Sequence, residues 1–109
     1  MNDFSKDVRN RLIFRRLQSS IGRNDQATFE CLIRKVSNGT IINKTLFSAA
    51  QYGNLEMVRY LIESANANVN AINEVGETPI FGAIYEGHLK IVKYLLSKNA
   101  NVNNKGNLI

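Results

Sequence analysis

The sequence predicts an all-α solenoid: stacked helix-turn-helix pairs joined by hairpin-like loops, a degenerate N-terminal cap followed by two repeats. Three observations carry this prediction. Leu46–Ile62 overlies Ile80–Leu96 without a gap at an offset of 34, and Ala67-Asn68-Val69-Asn70 overlies Ala100-Asn101-Val102-Asn103 at an offset of 33. A single glycine, Gly53 or Gly87, divides each copy at the same place. On both sides of that glycine, apolar residues recur at helical spacing.

The elements follow in chain order. Phe4, Val8 and Leu12 stand at i, i+4, i+8 and suggest an additional helix packed on the cap. Leu17–Ile33 then aligns with Leu46–Ile62 at an offset of 29, with Ser20 for Ala49, Ile21 for Ala50 and Asn24 for Gly53. Phe29, Leu32 and Ile33 take the core stripe. This copy is more polar than the others, as a terminal repeat facing water must be. Residues 1–36 are therefore read as a helical cap containing a degenerate repeat. The shorter offset assigns Ser37–Asn43 to an abbreviated loop, shorter than the connection between the later copies.

Residues 37–69 form the next repeat and 70–102 the one after. Small Ala49 and Ala83 suit a close approach of two helices. Leu55, Val58, Leu61 and Ile62, and then Leu89, Val92, Leu95 and Leu96, keep the i, i+3, i+6, i+7 spacing of a buried stripe. Thr78 and Pro79 fit an N-cap and a first helical position, where the missing proline N–H costs nothing. One such pair cannot bury both of its faces, so stacking is obligatory. Residues 103–109 read as a stub: Ile109 falls where a further repeat's first helix would begin, and the chain is expected to belong to a longer array.

Gly76-Glu77-Thr78-Pro79-Ile80-Phe81-Gly82-Ala83, then Gly87-His88-Leu89-Lys90-Ile91-Val92-Lys93-Tyr94-Leu95-Leu96 and Ala100-Asn101-Val102-Asn103, resemble the ankyrin repeat throughout. Against that family's pattern, Phe47 and Phe81 replace the usual histidine after Thr-Pro-Leu, so packing is expected where its hydrogen bond to threonine is lost. Asn68 and Asn101 replace the usual aspartate, and the first copy has Lys44-Thr45 for Thr-Pro. The second finger, Asn70–Thr78, has the family's normal length. The resemblance implies a protein–protein interaction module whose partner lies in a concave groove. By position, that groove comprises Thr40, Ile41 and Asn43 of the shortened finger and Glu74, Val75 and Glu77 of the full one. Gln51, Tyr52, Tyr85 and Glu86 join it from the first helices. Tyr52 and Tyr85 are read as one repeat position, expected to stack as neighbours and anchor the partner. Glu74, Glu77 and Glu86 suggest a partner segment of basic character. Tyr60 and Tyr94 are assigned to convex-side packing.

Composition narrows the alternatives. Hydrophobic residues at 44% and charged residues at 21% describe a globular chain rather than a disordered one. No stretch approaches the roughly 18 apolar residues of a membrane span, and the start lacks the apolar run of a signal peptide. With a single cysteine, Cys31, read as a partly buried structural thiol, a cytoplasmic or nuclear setting is expected. His88, the one histidine, fits the repeat pattern, so neither a histidine-based triad nor a zinc set can be assembled. No phosphate-cradling glycine motif or metal-ligand spacing occurs. The chain is accordingly read as no enzyme, with no cofactor and no metal. Of the +5 net charge, the first 36 residues hold eight basic against four acidic side chains. Arg9, Arg11, Arg15, Arg16 and Arg23 thus supply an alternative: the cap binds nucleic acid or another acidic surface. Few aromatic residues interleave with them, which argues against nucleic acid. Self-association through the unfinished C-terminal face is a further alternative.

Overall fold

The structure is a computed structural model that describes residues 3–102, with side chains from Ser5 onward. Six helices follow in order: α1 (Asp3–Arg23), α2 (Gln26–Arg34), α3 (Gly39–Tyr52), α4 (Leu55–Ser64), α5 (Pro79–Glu86) and α6 (Leu89–Ser97). No strand occurs among the described residues. The odd-numbered helices pack side by side in one row, and the even-numbered helices form a second row behind them. The seven residues after 102, including the stub that was expected to lead into a further repeat, lie outside the described residues.

The cap differs from expectation. The additional helix is not separate: α1 runs unbroken over 21 residues. The stripe assigned to Phe4, Val8 and Leu12 is not its buried face, since Leu12 is 53% exposed; the Phe4 side chain lies outside the described residues. Ile13, Phe14, Leu17 and Ile21 pack inward instead. With no glycine or proline before Gly22, nothing in the segment interrupts helical hydrogen bonding. Ser20 is buried and its hydroxyl donates to the Leu17 carbonyl at 2.7 Å.

The turns use the residues the repeat pattern singles out. Asn24, Gly53 and Gly87 all have left-handed backbone, with φ of 57°, 99° and 79°. Asparagine is among the few side chains that tolerate this region, so it can stand in for glycine in the cap. Each second helix then begins on a capping position. The Asp25 carboxylate accepts from the Thr28 amide at 3.2 Å and Asn54 Oδ1 from the Met57 amide at 3.1 Å. Those Thr28 hydrogen bonds also hold the Asp25 carboxyl below its usual pKa. Asn66 and Asn99, 33 residues apart, are likewise left-handed where the second helices end. α4 is one residue longer than α6, which accounts for the change of offset from 34 to 33.

The abbreviated finger is also corrected. Only Lys35–Asn38 connects α2 to α3. Asn38 is the N-cap: its Oδ1 accepts from the Thr40 amide at 2.8 Å and the Ile41 amide at 3.4 Å. Thr40, Ile41 and Asn43 are therefore helical. Ile41 is 6% exposed and belongs to the core with Ile42, Thr45, Leu46, Ala49 and Ala50, so it is not a groove residue. Thr45 satisfies its buried hydroxyl by donating to the Ile41 carbonyl at 2.7 Å.

Thr78 and Pro79 take the N-cap and first-turn positions of α5, although Thr78 makes no side-chain capping bond. The stripes are partly as expected. Phe29, Leu32, Ile33, Val58, Leu61 and Leu95 are buried, together with Met57 and Ile91, which the i, i+3, i+6, i+7 pattern omitted. Leu89 and Leu96 are exposed, whereas their counterparts Leu55 and Ile62 pack against the core.

Candidate functional site

A concave groove of about 470 Å³ opens between α1, the start of α3 and the finger that precedes α5. Thr40, Lys44, Phe47 and Ser48 line it from α3, successive positions of one helix face. Phe14 closes it on the α1 side, and Ile72, Asn73 and Glu74 close it on the finger side. Asn43 and Ala71 border an adjoining hollow of about 180 Å³ that shares Thr40, Phe47 and Ile72. Lys44 Nζ stands 4.7 Å from the centre of the Phe14 ring, a cation–π contact that ties the two helices at the groove wall.

The finger is shaped by Asn73. Its Oδ1 accepts from the Val75 amide at 3.0 Å and the Glu77 amide at 2.9 Å, while its Nδ2 donates to Glu77 Oε1 at 3.3 Å. The Asn73 amide donates to the Glu77 carbonyl at 2.9 Å, and Gly76, with φ of 84°, completes the turn. Glu77 is thereby committed to holding the finger. Glu74 and Val75 at the tip face water.

Asparagines tie the loops to their neighbours. Asn43 Oδ1 accepts from the Asn68 amide at 2.9 Å, and Asn70 Oδ1 accepts from the Asn101 amide at 2.9 Å. At the opposite end of the helices, His88 Nε2 lies 3.0 Å from the Gln51 carbonyl and donates to it in the tautomer that carries a proton there. Asn54, at the corresponding place in the preceding repeat, donates to Asn24 Oδ1 at 3.0 Å. The same seam position thus carries a cross-repeat hydrogen bond twice, and His88 is structural.

The expected site residues divide into two groups. Thr40 and Glu74 line the groove, Asn43 borders the adjoining hollow, and Val75 is exposed at the finger tip. Gln51, Tyr52, Tyr85 and Glu86 lie at the glycine-turn end; Thr40 and Gln51 are eleven residues apart, about 16 Å along α3. Tyr52 and Tyr85 do not stack. An offset of 34 pairs Tyr52 with Glu86 and Tyr85 with Gln51, so the two tyrosines are one residue out of register and point about 100° apart on their helices. Tyr52 is 59% exposed and donates from its hydroxyl to the Gly22 carbonyl at 3.2 Å, whereas Tyr85 is 80% exposed. The three carboxylates do not converge either: Glu77 is engaged by Asn73, and Glu86 ends α5 away from the finger.

Phe14, Lys44, Phe47, Ile72 and Asn73 were not expected in the groove. Phe47 carried a signal, as one of the two phenylalanines where the pattern has histidine. Its ring lies against Gly82, whose absent Cβ would sit 3.5 Å from Phe47 Cζ.

Cys31 is exposed rather than partly buried. With Phe29, Leu32 and Ile33 turned inward, position 31 falls on the outer face of α2. Tyr60 and Tyr94 are half-buried on α4 and α6, in the second row of helices. Tyr60 meets Phe29 edge-on at 6.5 Å, and the Tyr94 hydroxyl donates to Glu63 at 2.6 Å. Burial, then the bond to Glu63, pushes the Tyr94 phenol up to about 12. Among the described residues no cluster of three His, Cys, Asp or Glu could hold a metal, and no helix is long and apolar enough to cross a membrane.

Comparison with known proteins places these features. The family model for ankyrin repeats (three copies) matches residues 17–106. Alpha-latrocrustotoxin-Lt1a of Latrodectus tredecimguttatus is 35% identical over 96 residues, 83% of this chain but 7% of that protein. A putative ankyrin repeat protein of Rickettsia felis is 37% identical over 59 residues, 53% of this chain and 26% of its own length. Ankyrin repeat domain-containing protein 29 of Danio rerio is 31% identical over 64 residues, 59% of this chain and 22% of its own length. The chain thus spans a minor part of these relatives.

Proposed function

The chain belongs to the ankyrin-repeat family, and on that premise we propose that it binds a segment of a partner protein in the groove between α1, α3 and the finger. Ankyrin repeats are a non-catalytic fold and generally serve as protein–protein interaction modules. The observation that supports this groove as the site is its composition. Phe14, Phe47 and Ile72 offer apolar walls, Thr40 and Asn73 offer hydrogen-bonding groups, and Lys44 and Glu74 offer one charge of each sign. Such a mixture suits an extended peptide with an apolar anchor flanked by polar residues. The partner is therefore read as amphipathic, with a cation for Glu74, rather than as broadly basic. Tyr85 and Val75, both strongly exposed, extend the contact surface beyond the groove.

A library of displayed linear peptides selected on the chain tests this reading. Binders should lose about tenfold in affinity on Thr40→Arg, which fills the groove from an exposed position, and on Glu74→Lys. Lys93→Ala, on the exposed side of α6, should leave them unchanged. Binders that tolerate both groove substitutions and are lost on Lys93→Ala would overturn the assignment.

A further inference from the structure

We propose that the cap holds a second binding site, separate from the groove, for a small anionic ligand bearing linked phosphate groups. A cavity of about 340 Å³ opens where the first turns of α1 pass the connection between α2 and α3. Lys6 and Arg9 line it from α1 and Lys35 from the end of α2. On α1 the lining positions 6, 9, 10 and 13 fall at i, i+3, i+4 and i+7, so both cations share one face with Asn10. The connection is only four residues long, which fixes Lys35 close to the cap residue Asn38.

Among the described residues, no carboxylate contributes to this lining. Asp7 lies off the shared face and pairs with Arg11 at 3.7 Å. Neither described ion pair uses Lys6, Arg9 or Lys35. A merely solvated charge run would spread its cations over the surface, whereas here the backbone gathers three of them on one concave wall. Helix electrostatics explains Lys35, which stands at the carbonyl end of α2. It does not explain Lys6, which lies near the amino end of α1, where positive charge is disfavoured. Because Asn38 Oδ1 is already used by the Thr40 and Ile41 amides, its NH₂ group remains a donor, as do the Asn10 amide and the Ser37 hydroxyl. Ile13 and Val36 supply apolar wall beside these donors, and a low-dielectric boundary strengthens the local field. Three cations with neutral donors match an anion carrying several closely spaced charges. A lone carboxylate would leave most of that positive charge unbalanced.

The test is an amide-resolved NMR titration of the chain at low salt with tripolyphosphate, with orthophosphate and a short DNA duplex as separate arms. Tripolyphosphate should bind saturably, more tightly than orthophosphate, with shifts centred on residues 6–10 and 35–38. Arg9→Ala and Lys35→Ala should each weaken binding by about tenfold, the loss of one charge-assisted contact. Arg23→Ala, which removes the same charge at the other end of α1, should change nothing. The substituted side chains are exposed, so the variants should melt with the wild type; Arg9→Gln and Lys35→Gln replace any that do not. Absence of saturation, or an Arg23→Ala loss equal to that of Arg9→Ala, would overturn the site in favour of diffuse charge. Tighter binding of the duplex, with shifts spreading over Arg15 and Arg16, would overturn it in favour of nucleic acid.

Discussion

Gly53 and Gly87 end corresponding helices with the same left-handed backbone, but their surroundings differ. A Cβ on Gly87 would meet nothing within 4 Å, whereas one on Gly53 would stand 2.6 Å from the His88 ring. Gly87→Ala should therefore cost only the left-handed strain of a side chain, about 1 kcal/mol. Gly53→Ala adds displacement of an imidazole tied to the Gln51 carbonyl, and should cost about 3 kcal/mol. Urea unfolding of the two variants checks the order. Adding His88→Ala to Gly53→Ala should cost less than the sum of the single changes, because the clash goes with the ring. Both turns were readable from the two aligned glycines, and the tolerance of Asn24 from its place beneath them. The tyrosine pairing was misread because a one-residue slip in register rotates a helical side chain by about 100°, and position along the chain conceals that rotation. Cys31 was misread as well: its neighbours Phe29, Leu32 and Ile33 already define the inward face of α2, and position 31 lies outside that arc.

At the scale of the element, the finger and the start of α3 show how similar residues serve opposite ends. Ser37-Asn38-Gly39 has the composition of a loop, yet Asn38 caps a helix. The deciding signal was the run Ile41-Ile42, Thr45-Leu46, Ala49-Ala50, which repeats every four residues and carries α3 back to Gly39. Three turn-forming residues in a row point to a loop, but this longer periodicity outweighs them. In the full finger, by contrast, Asn73 does build a turn, and two amides and one carboxylate depend on its side chain. Asn73→Ala should destabilise the chain by about 2 kcal/mol, from several modest hydrogen bonds lost together. Hydrogen exchange separates this from a general loosening: the amides of Val75 and Glu77 should lose protection, while those of α3 retain theirs relative to global unfolding. Groove affinity should fall as well, because Ile72 and Glu74 are positioned by that turn.

For the whole molecule, the stack sets what each leucine is worth. Leu61 is fully buried, while Leu89 is 69% exposed although its counterpart one repeat earlier, Leu55, packs against the core. The repeat pattern assigned both to one buried stripe, because sequence spacing reports which way a residue faces within its own repeat. Burial also depends on what packs against that repeat, which spacing alone does not encode. Ile84 shows the same effect: it is exposed, whereas its counterpart Ala50 is fully buried. Leu61→Ala should therefore cost about 3 kcal/mol through lost transfer energy and a residual cavity. Leu89→Ala should change stability by less than about 0.5 kcal/mol, since both residues are good helix formers and little area returns to water. Chemical denaturation of the two variants measures the difference directly. Equal losses would mean that Leu89 is covered in solution, and that α6 carries a packed face on both of its sides.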